Sequence, residues 1–102
     1  FVAEKEKAIV DAVVLKAISF SEIARIVKRG KQELDAKKMI GFAIKAGDKA
    51  AIKRLGFLLQ ALGFNAAEMK KRVGGRMVPL DYAMPPGGKK NPEWRVLENV
   101  DL

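Results

Sequence analysis

The chain has 102 residues, 49% hydrophobic and 31% charged, which is typical of one globular domain. Its formal net charge is +8, and it contains neither His nor Cys. This composition excludes a disulfide framework, a thiolate nucleophile and a Cys-based zinc site, and no apolar run is long enough to span a bilayer.

The chain begins without an initiator Met or a signal-peptide pattern, so we interpret Phe1 as an internal point of a longer protein. The absence of Cys fits a cytoplasmic location. A strongly basic balance favours an anionic partner, namely nucleic acid, an acidic protein face or a membrane surface. The alternative is a solvated Lys/Glu surface with no specific partner.

The first half of the chain predicts amphipathic helices. The first helix covers about residues 4–17, and its apolar stripe comprises Ala8, Ile9, Ala12 and Val13, widened by Val10 and Val14. Ser19 and Glu22 have the spacing of a capping box, which opens a second helix that runs to about Arg29. Gly30 is expected to end it in the left-handed conformation. The residues of the second helix predicted to face inward are Phe20, Ile23, Ala24 and Val27.

Three more helices follow. Asp35 is the expected N-cap of a helix to about Ala46, which Gly47 ends, and Asp48 caps the next helix. The fourth helix, ended by Gly63, has a broad apolar stripe of Ala51, Ile52, Leu55, Leu58, Leu59 and Leu62. Asn65 and Glu68 predict a capping box for a short fifth helix.

The C-terminal part has a different pattern. Residues 77–80 are a candidate extended segment, and residues 85–92 are predicted to be a Pro/Gly-rich loop. Residues 94–100 alternate apolar and polar side chains and predict a terminal strand, which needs a partner. The partner is either the segment 77–80 or strands N-terminal to Phe1. The predicted fold is therefore α+β, with about five helices, the loop and a C-terminal strand.

The sequence offers no clear catalytic group. Helix capping accounts for Ser19 and Ser21, the only serines, and for Asp35 and Asp48. Glu4, Glu6 and Asp11 belong to the first helix and form no carboxylate dyad. Residues 87–90 read Gly-Gly-Lys-Lys but lack the spacing of a phosphate-binding loop. We therefore expect neither catalysis nor a cofactor or metal.

Residues 20–27 resemble the first helix of a helix-turn-helix motif. The seven residues 28–34 that follow are too many for its tight turn, and the next helix carries Met39, Ile40, Phe42 and Ile44 where base-reading side chains are needed. These helices are therefore not expected to read a DNA groove. The basic residues form candidate contacts for a partner or nucleic acid, or else solvated helix surfaces: Lys53, Arg54, Lys70, Lys71, Arg72, Arg76, Lys89 and Lys90.

Several segments resemble AbiEi antitoxins, the predicted transcriptional regulators of viral-defence (abortive-infection) loci. Residues 2–11 are similar to the family's VAxxEKAxxD stretch. Leu34-Asp35 and residues 49–59 are similar to its LD…KAxxxRLGxLL helices. The family's Ser-Pro before Glu-Lys-Ala is Glu4-Lys5 here.

The end of the chain carries the same resemblance. Leu80-Asp81, residues 88–96 and Asn99-Val100 are similar to the family's LDP…GKxNxxWxxxxNV pattern, although residues 82–86 depart from it. The matching segments occur in order over nearly the whole chain.

The resemblance implies a bipartite type IV antitoxin. A winged-helix domain, absent from these residues, would bind operator DNA, and this chain would be most of the C-terminal domain, which counteracts a cognate nucleotidyltransferase-like toxin and supports autoregulation by binding. Asn91, Trp94 and Arg95 lie where the resemblance is densest and are the expected partner surface, unless Trp94 is simply the inward residue of the last strand. No catalytic residue and no membrane partner is implied. The alternatives are a basic nucleic-acid-binding domain and an enzyme accessory domain.

Overall fold

The computed structural model describes residues 5–102, so Glu4 and the rest of residues 1–4 lie outside the described part. That part is a mainly helical α+β domain, as predicted, with five α-helices and a small three-stranded sheet. The helices are α1 (Lys5–Leu15), α2 (Phe20–Arg29), α3 (Ala36–Ala46), α4 (Lys49–Ala61) and α5 (Ala67–Lys70). The strands are β1 (Val78–Pro79), β2 (Lys89–Asn91) and β3 (Val96–Glu98).

Three helices begin at the side-chain caps that the sequence predicts. Ser19 Oγ accepts a hydrogen bond from the Glu22 amide at 3.3 Å, whereas the Glu22 carboxylate pairs with Arg25, so only the Ser19 half of the predicted capping box forms. Asp35 Oδ1 accepts from the Lys38 amide at 3.2 Å, and Asp48 Oδ1 accepts from the Ala51 amide at 2.9 Å. Each cap satisfies an amide in the first turn that has no partner within the helix.

The helix ends follow the predictions less closely. Gly47 has φ +70° and ends α3 in the left-handed conformation, as predicted. Gly30 ends α2, as predicted, but its predicted left-handed conformation is wrong, because Gly30 has φ −96° and leads into a short 3-10 helix at Lys31–Glu33. The predicted capping box of α5 is also wrong. Asn65 Oδ1 accepts from the Ala67 amide at 3.1 Å and not from the Glu68 amide, and the Glu68 carboxylate binds Lys71. The helix itself is short, as predicted, with four residues.

The core is organised around α4, which contacts α1, α3, α5 and β3. Its predicted stripe is buried from Ala51 to Leu59, whereas Leu62 is half-buried. In α2, the buried side chains are the four predicted ones, Phe20, Ile23, Ala24 and Val27. In α1, Ile9, Val10 and Val13 are buried but Ala8 is exposed.

The sheet has the order β1-β3-β2, with β1 parallel and β2 antiparallel to β3. The predicted pairing of segment 77–80 with the terminal strand is confirmed, since Val78 pairs with Val96. Two bounds need correction. Residues 89–91, predicted to be loop, form a strand in which Lys90 pairs with Leu97. The terminal strand is only Val96–Glu98, because residues 92–95 form the turn between the two strands.

No helix within residues 5–102 has the length and apolar character needed to cross a membrane.

Candidate anion-binding site

Lys53 is a buried cation at the middle of α4. The residue is only 4% exposed, and its Nζ donates a hydrogen bond to the Arg76 carbonyl oxygen at 2.7 Å. Packing of α4 by neighbouring elements on several sides buries this position despite its charge. The sequence-based placement of Lys53 on an exposed basic face is therefore corrected.

Arg54 is also 4% exposed, so its predicted place on an exposed basic face is wrong as well. Its Nε donates to the Pro79 carbonyl oxygen at 2.9 Å, and its guanidinium carbon lies 5.0 Å from the centre of the Tyr82 ring. The Tyr82 hydroxyl in turn donates to the Ile18 carbonyl oxygen. Arg54 therefore joins α4 to the segment that follows β1, and its side chain is occupied within the domain.

Two exposed arginines, Arg76 and Arg95, lie close enough to Lys53 for their positive charges to lower its pKa. Arg76 is held beside it by the hydrogen bond from Nζ to the Arg76 carbonyl. Arg95 comes just before β3, and its carbonyl oxygen accepts from the Val78 amide at 3.0 Å, two residues after Arg76. Because β1 and β3 run parallel, both arginines lie at the same end of this strand pair.

Lys49 adds a fourth positive charge, which the sequence-based candidates did not include. It is exposed at the start of α4, four residues before Lys53, so the two side chains lie on the same face of the helix. This i,i+4 spacing is the signal that the sequence contains. We call Lys49, Lys53, Arg76 and Arg95 the basic cluster.

The electrostatics of the basic cluster are unfavourable without an anion. Burial lowers the pKa of Lys53, and the positive charges of Lys49, Arg95 and Arg76 lower it further. Within residues 5–102, no member of the cluster forms an ion pair. A bound anion would offset this mutual repulsion.

The nearby carboxylates have other partners. Asp48 caps α4, and Asp81 accepts hydrogen bonds from the Phe20 and Ser21 amides. Glu93 binds Lys70 and Gln60, and Glu98 accepts from Asn91. Among residues 5–102, the cluster therefore has no carboxylate paired with it.

The remaining basic candidates lie outside the cluster. Lys70 pairs with Glu93, and Lys71 pairs with Glu68 at 3.1 Å, while Arg72 is exposed in the turn after α5. Lys89 and Lys90 are exposed on the edge strand β2. Of the predicted basic residues, Lys53, Arg76 and Arg95 therefore belong to the basic cluster, Arg54 is buried beside it, and the others lie elsewhere on the surface.

Asn91 and Trp94 have structural contacts. The Asn91 Oδ1 accepts from the Trp94 amide at 3.0 Å, which closes the turn between β2 and β3. Trp94 is fully buried, and its ring lies against Gly56 of α4. Of the two interpretations of Trp94, the structure has the inward-facing one, so its placement on an exposed partner surface is corrected.

A second surface feature is an apolar groove between α1 and α2, lined by Lys5, Ala8, Ile9, Ala12, Ile18, Ile23, Ile26, Gly30 and Leu34. Its lining includes one charged residue, Lys5, which pairs with Glu33 at 3.1 Å. The groove is therefore a much poorer binding site for an anion than the basic cluster.

The serines and acids have structural roles within the described chain. The Ser21 hydroxyl donates to Asp81 and does not cap a helix, which corrects that part of the capping prediction, and the Asp35 amide donates to the Glu6 carboxylate at 2.8 Å. No three His, Cys, Asp or Glu side chains of residues 5–102 are grouped to hold a metal ion.

Comparison with known proteins finds no family model, curated protein or solved structure that matches the chain.

Proposed function

We propose that the chain is the antitoxin domain of an AbiE-like system, which counteracts a nucleotidyltransferase-like toxin in the cytoplasm by binding rather than by catalysis. The ordered sequence patterns that resemble the AbiEi antitoxins support the family. The observation that carries a binding role is the basic cluster, in which Lys49 and two exposed arginines lie near the buried Lys53 and none of the four pairs with a carboxylate of residues 5–102. In this proposal a winged-helix domain encoded upstream binds the operator, and the present domain supports autoregulation.

The direct test is co-expression with a nucleotidyltransferase-like toxin encoded in an adjacent gene, with growth as the readout. We expect rescue by the unaltered protein and weaker rescue by Arg95→Ala and by the double variant Lys89→Ala/Lys90→Ala. These side chains are exposed, so folding is expected to be retained. Arg29→Ala, at the exposed end of α2, is a matched control that should rescue fully. Failure of the unaltered protein to rescue would contradict the antitoxin proposal.

The basic cluster also favours a second candidate, a domain that contacts the phosphate backbone of nucleic acid directly. Phosphate contacts release condensed counterions, so affinity for duplex DNA would fall steeply with salt and show little dependence on sequence. Duplex binding measured over a series of salt concentrations tests this candidate. Tight binding to one sequence at physiological salt would instead indicate base reading by these residues.

A further inference from the structure

We propose that the basic cluster binds a single phosphate group, with Lys53 as the buried anchor and Arg76 and Arg95 as the exposed donors. The phosphate belongs either to a nucleic-acid backbone or to a small phosphate monoester, and the chemistry of recognition is the same for both. The proposal rests on the binding role proposed above and names the ligand of its site.

The ammonium group of Lys53 is incompletely hydrogen-bonded. An ammonium group has three donors, and a buried one needs acceptors for them. In the described chain, Nζ has one acceptor, the Arg76 carbonyl oxygen, and it has no ion pair. A neutral carbonyl leaves the charge uncompensated, whereas a phosphate oxygen would satisfy a second donor and supply the missing negative charge.

A ligand can approach Lys53 Nζ from the side of Gly75. A Cβ placed on Gly75 would lie 3.8 Å from Lys53 Nζ, so this glycine lies directly beside the ammonium group. Gly75 has φ +79°, a conformation that residues with a side chain rarely adopt. The loop therefore passes close to Nζ without a side chain that would fill the approach.

The backbone of Arg95 has φ +56°, although Arg95 is not a glycine. This conformation is unfavourable for a residue with a Cβ and persists where the surrounding structure holds it. The hydrogen bond from the Val78 amide to the Arg95 carbonyl holds it here. The side chain of Arg95 is nevertheless exposed and forms no ion pair within residues 5–102, so the strained position presents an available guanidinium.

The number of donors favours phosphate over carboxylate. Lys53, Arg76 and Arg95 present one ammonium and two guanidinium groups from three separate segments of the chain. A carboxylate has two oxygens, whereas a phosphate group presents more acceptors, and arginine matches it in bidentate geometry. Lys49 adds a positive charge at the same site.

The experiment titrates inorganic phosphate into the protein against chloride at equal ionic strength and follows backbone amide resonances by NMR. We expect saturable shifts at Gly74, Gly75, Arg76 and Arg95. Arg95→Gly removes the guanidinium and relieves the positive φ, so this variant should fold normally. It and Arg76→Gln should each weaken phosphate binding by about tenfold, the loss of one charge-assisted hydrogen bond. Arg29→Gln is the matched control and should bind phosphate as the unaltered protein does.

Shifts that do not saturate, or that are equal in Arg95→Gly and the unaltered protein, would overturn the proposal. A short duplex and a nucleoside monophosphate, compared at equal phosphate concentration, distinguish the two sources of the ligand by which of them displaces inorganic phosphate. The phosphate titration involves no toxin. Phosphate binding without toxin rescue would therefore refute the antitoxin proposal alone, and rescue without phosphate binding would refute this one alone.

Discussion

Asp81 and Ser21, 60 residues apart in the chain, are joined by a 2.6 Å hydrogen bond from the Ser21 hydroxyl to the Asp81 carboxylate. The same carboxylate accepts from the backbone amides of Phe20 at 3.1 Å and Ser21 at 3.2 Å. Asp81 therefore caps the first turn of α2 from a distant segment. Asn99 holds Asp81 in place by hydrogen bonds to its backbone amide and carbonyl, both 3.0 Å long.

Replacement of Asp81 should destabilise the domain strongly. Asp81 is 1% exposed, and Asp81→Ala leaves buried amides of α2 without acceptors. We expect the free energy of unfolding in urea to fall by about 2–4 kcal/mol, and by about 1 kcal/mol for Ser21→Ala. Asp101→Ala, at an exposed position, is the control. Equal effects of Asp81→Ala and Asp101→Ala would show that the carboxylate does not cap α2.

The stability of the domain should decrease in acid. Hydrogen bonding from the Asp35 amide lowers the pKa of Glu6 below 4.5. For Asp81, burial raises the pKa, but hydrogen bonds from the Ser21 hydroxyl and from three backbone amides outweigh it, so the net pKa lies below 3.8. Because the folded-state pKa values are depressed, both carboxylates stabilise the fold above the unfolded-state values. This contribution is lost as the pH falls through the folded-state values.

Urea unfolding at a series of acidic pH values measures this dependence. The double variant Glu6→Gln/Asp81→Asn should be less stable near neutral pH, with a flatter profile as the pH falls below 4.5. An identical pH profile for the double variant and the unaltered protein would assign the acid sensitivity to other groups.

The leucines of α4 should dominate the core energetics. Leu58 is 0% and Leu59 is 1% exposed. We expect Leu58→Ala or Leu59→Ala to lower the free energy of unfolding by about 2–5 kcal/mol, since each leaves a cavity. Leu15→Ala removes the same atoms from a residue that is 75% exposed, and it should change the free energy of unfolding by less than about 0.5 kcal/mol. Unchanged melting midpoints for both core variants would refute the helix register.

Replacement of two helical glycines by alanine should have opposite effects on the stability of the domain. A Cβ on Gly56 would lie 2.2 Å from Trp94 Cζ3, so the buried indole would have to shift, at a cost of at least about 1–3 kcal/mol. Gly41 in α3 is exposed and has nothing within 4 Å of an added Cβ, so Gly41→Ala should stabilise the domain by about 0.5–1 kcal/mol. Thermal melts of the two variants test the close packing of α4 on Trp94. A gain in stability from Gly56→Ala would contradict it.

Loss of the indole should itself be severe. Trp94 is fully buried, and we expect Trp94→Ala to cost about 3–5 kcal/mol, enough to unfold a small domain. Circular dichroism of the purified variant measures this. A folded Trp94→Ala variant that fails only in toxin rescue would restore Trp94 as a contact residue.

Features that depend on neighbouring residues could be predicted from the sequence. The caps of α2, α3 and α4 depend on one side chain and an amide three residues away, and the buried face of α2 follows from its 3.6-residue period. Residue type and spacing determine such interactions, so no tertiary information is needed.

Burial and polar partners could not be predicted in this way, because they depend on segments that are far apart in the chain. Lys53 and Arg54 resemble surface residues in the sequence, but the segment after α5 covers them and supplies their carbonyl acceptors. The Asp81 carboxylate has hydrogen-bond partners 60 and 61 residues away in the chain. Arg76 and Arg95 lie near Lys53 only because β1 pairs with β3. The charge of the candidate site and most of its residues could be predicted from residue types alone. Which of these charges converge was decided by the folded chain, since a charge cluster requires proximity in space, which local periodicity does not encode.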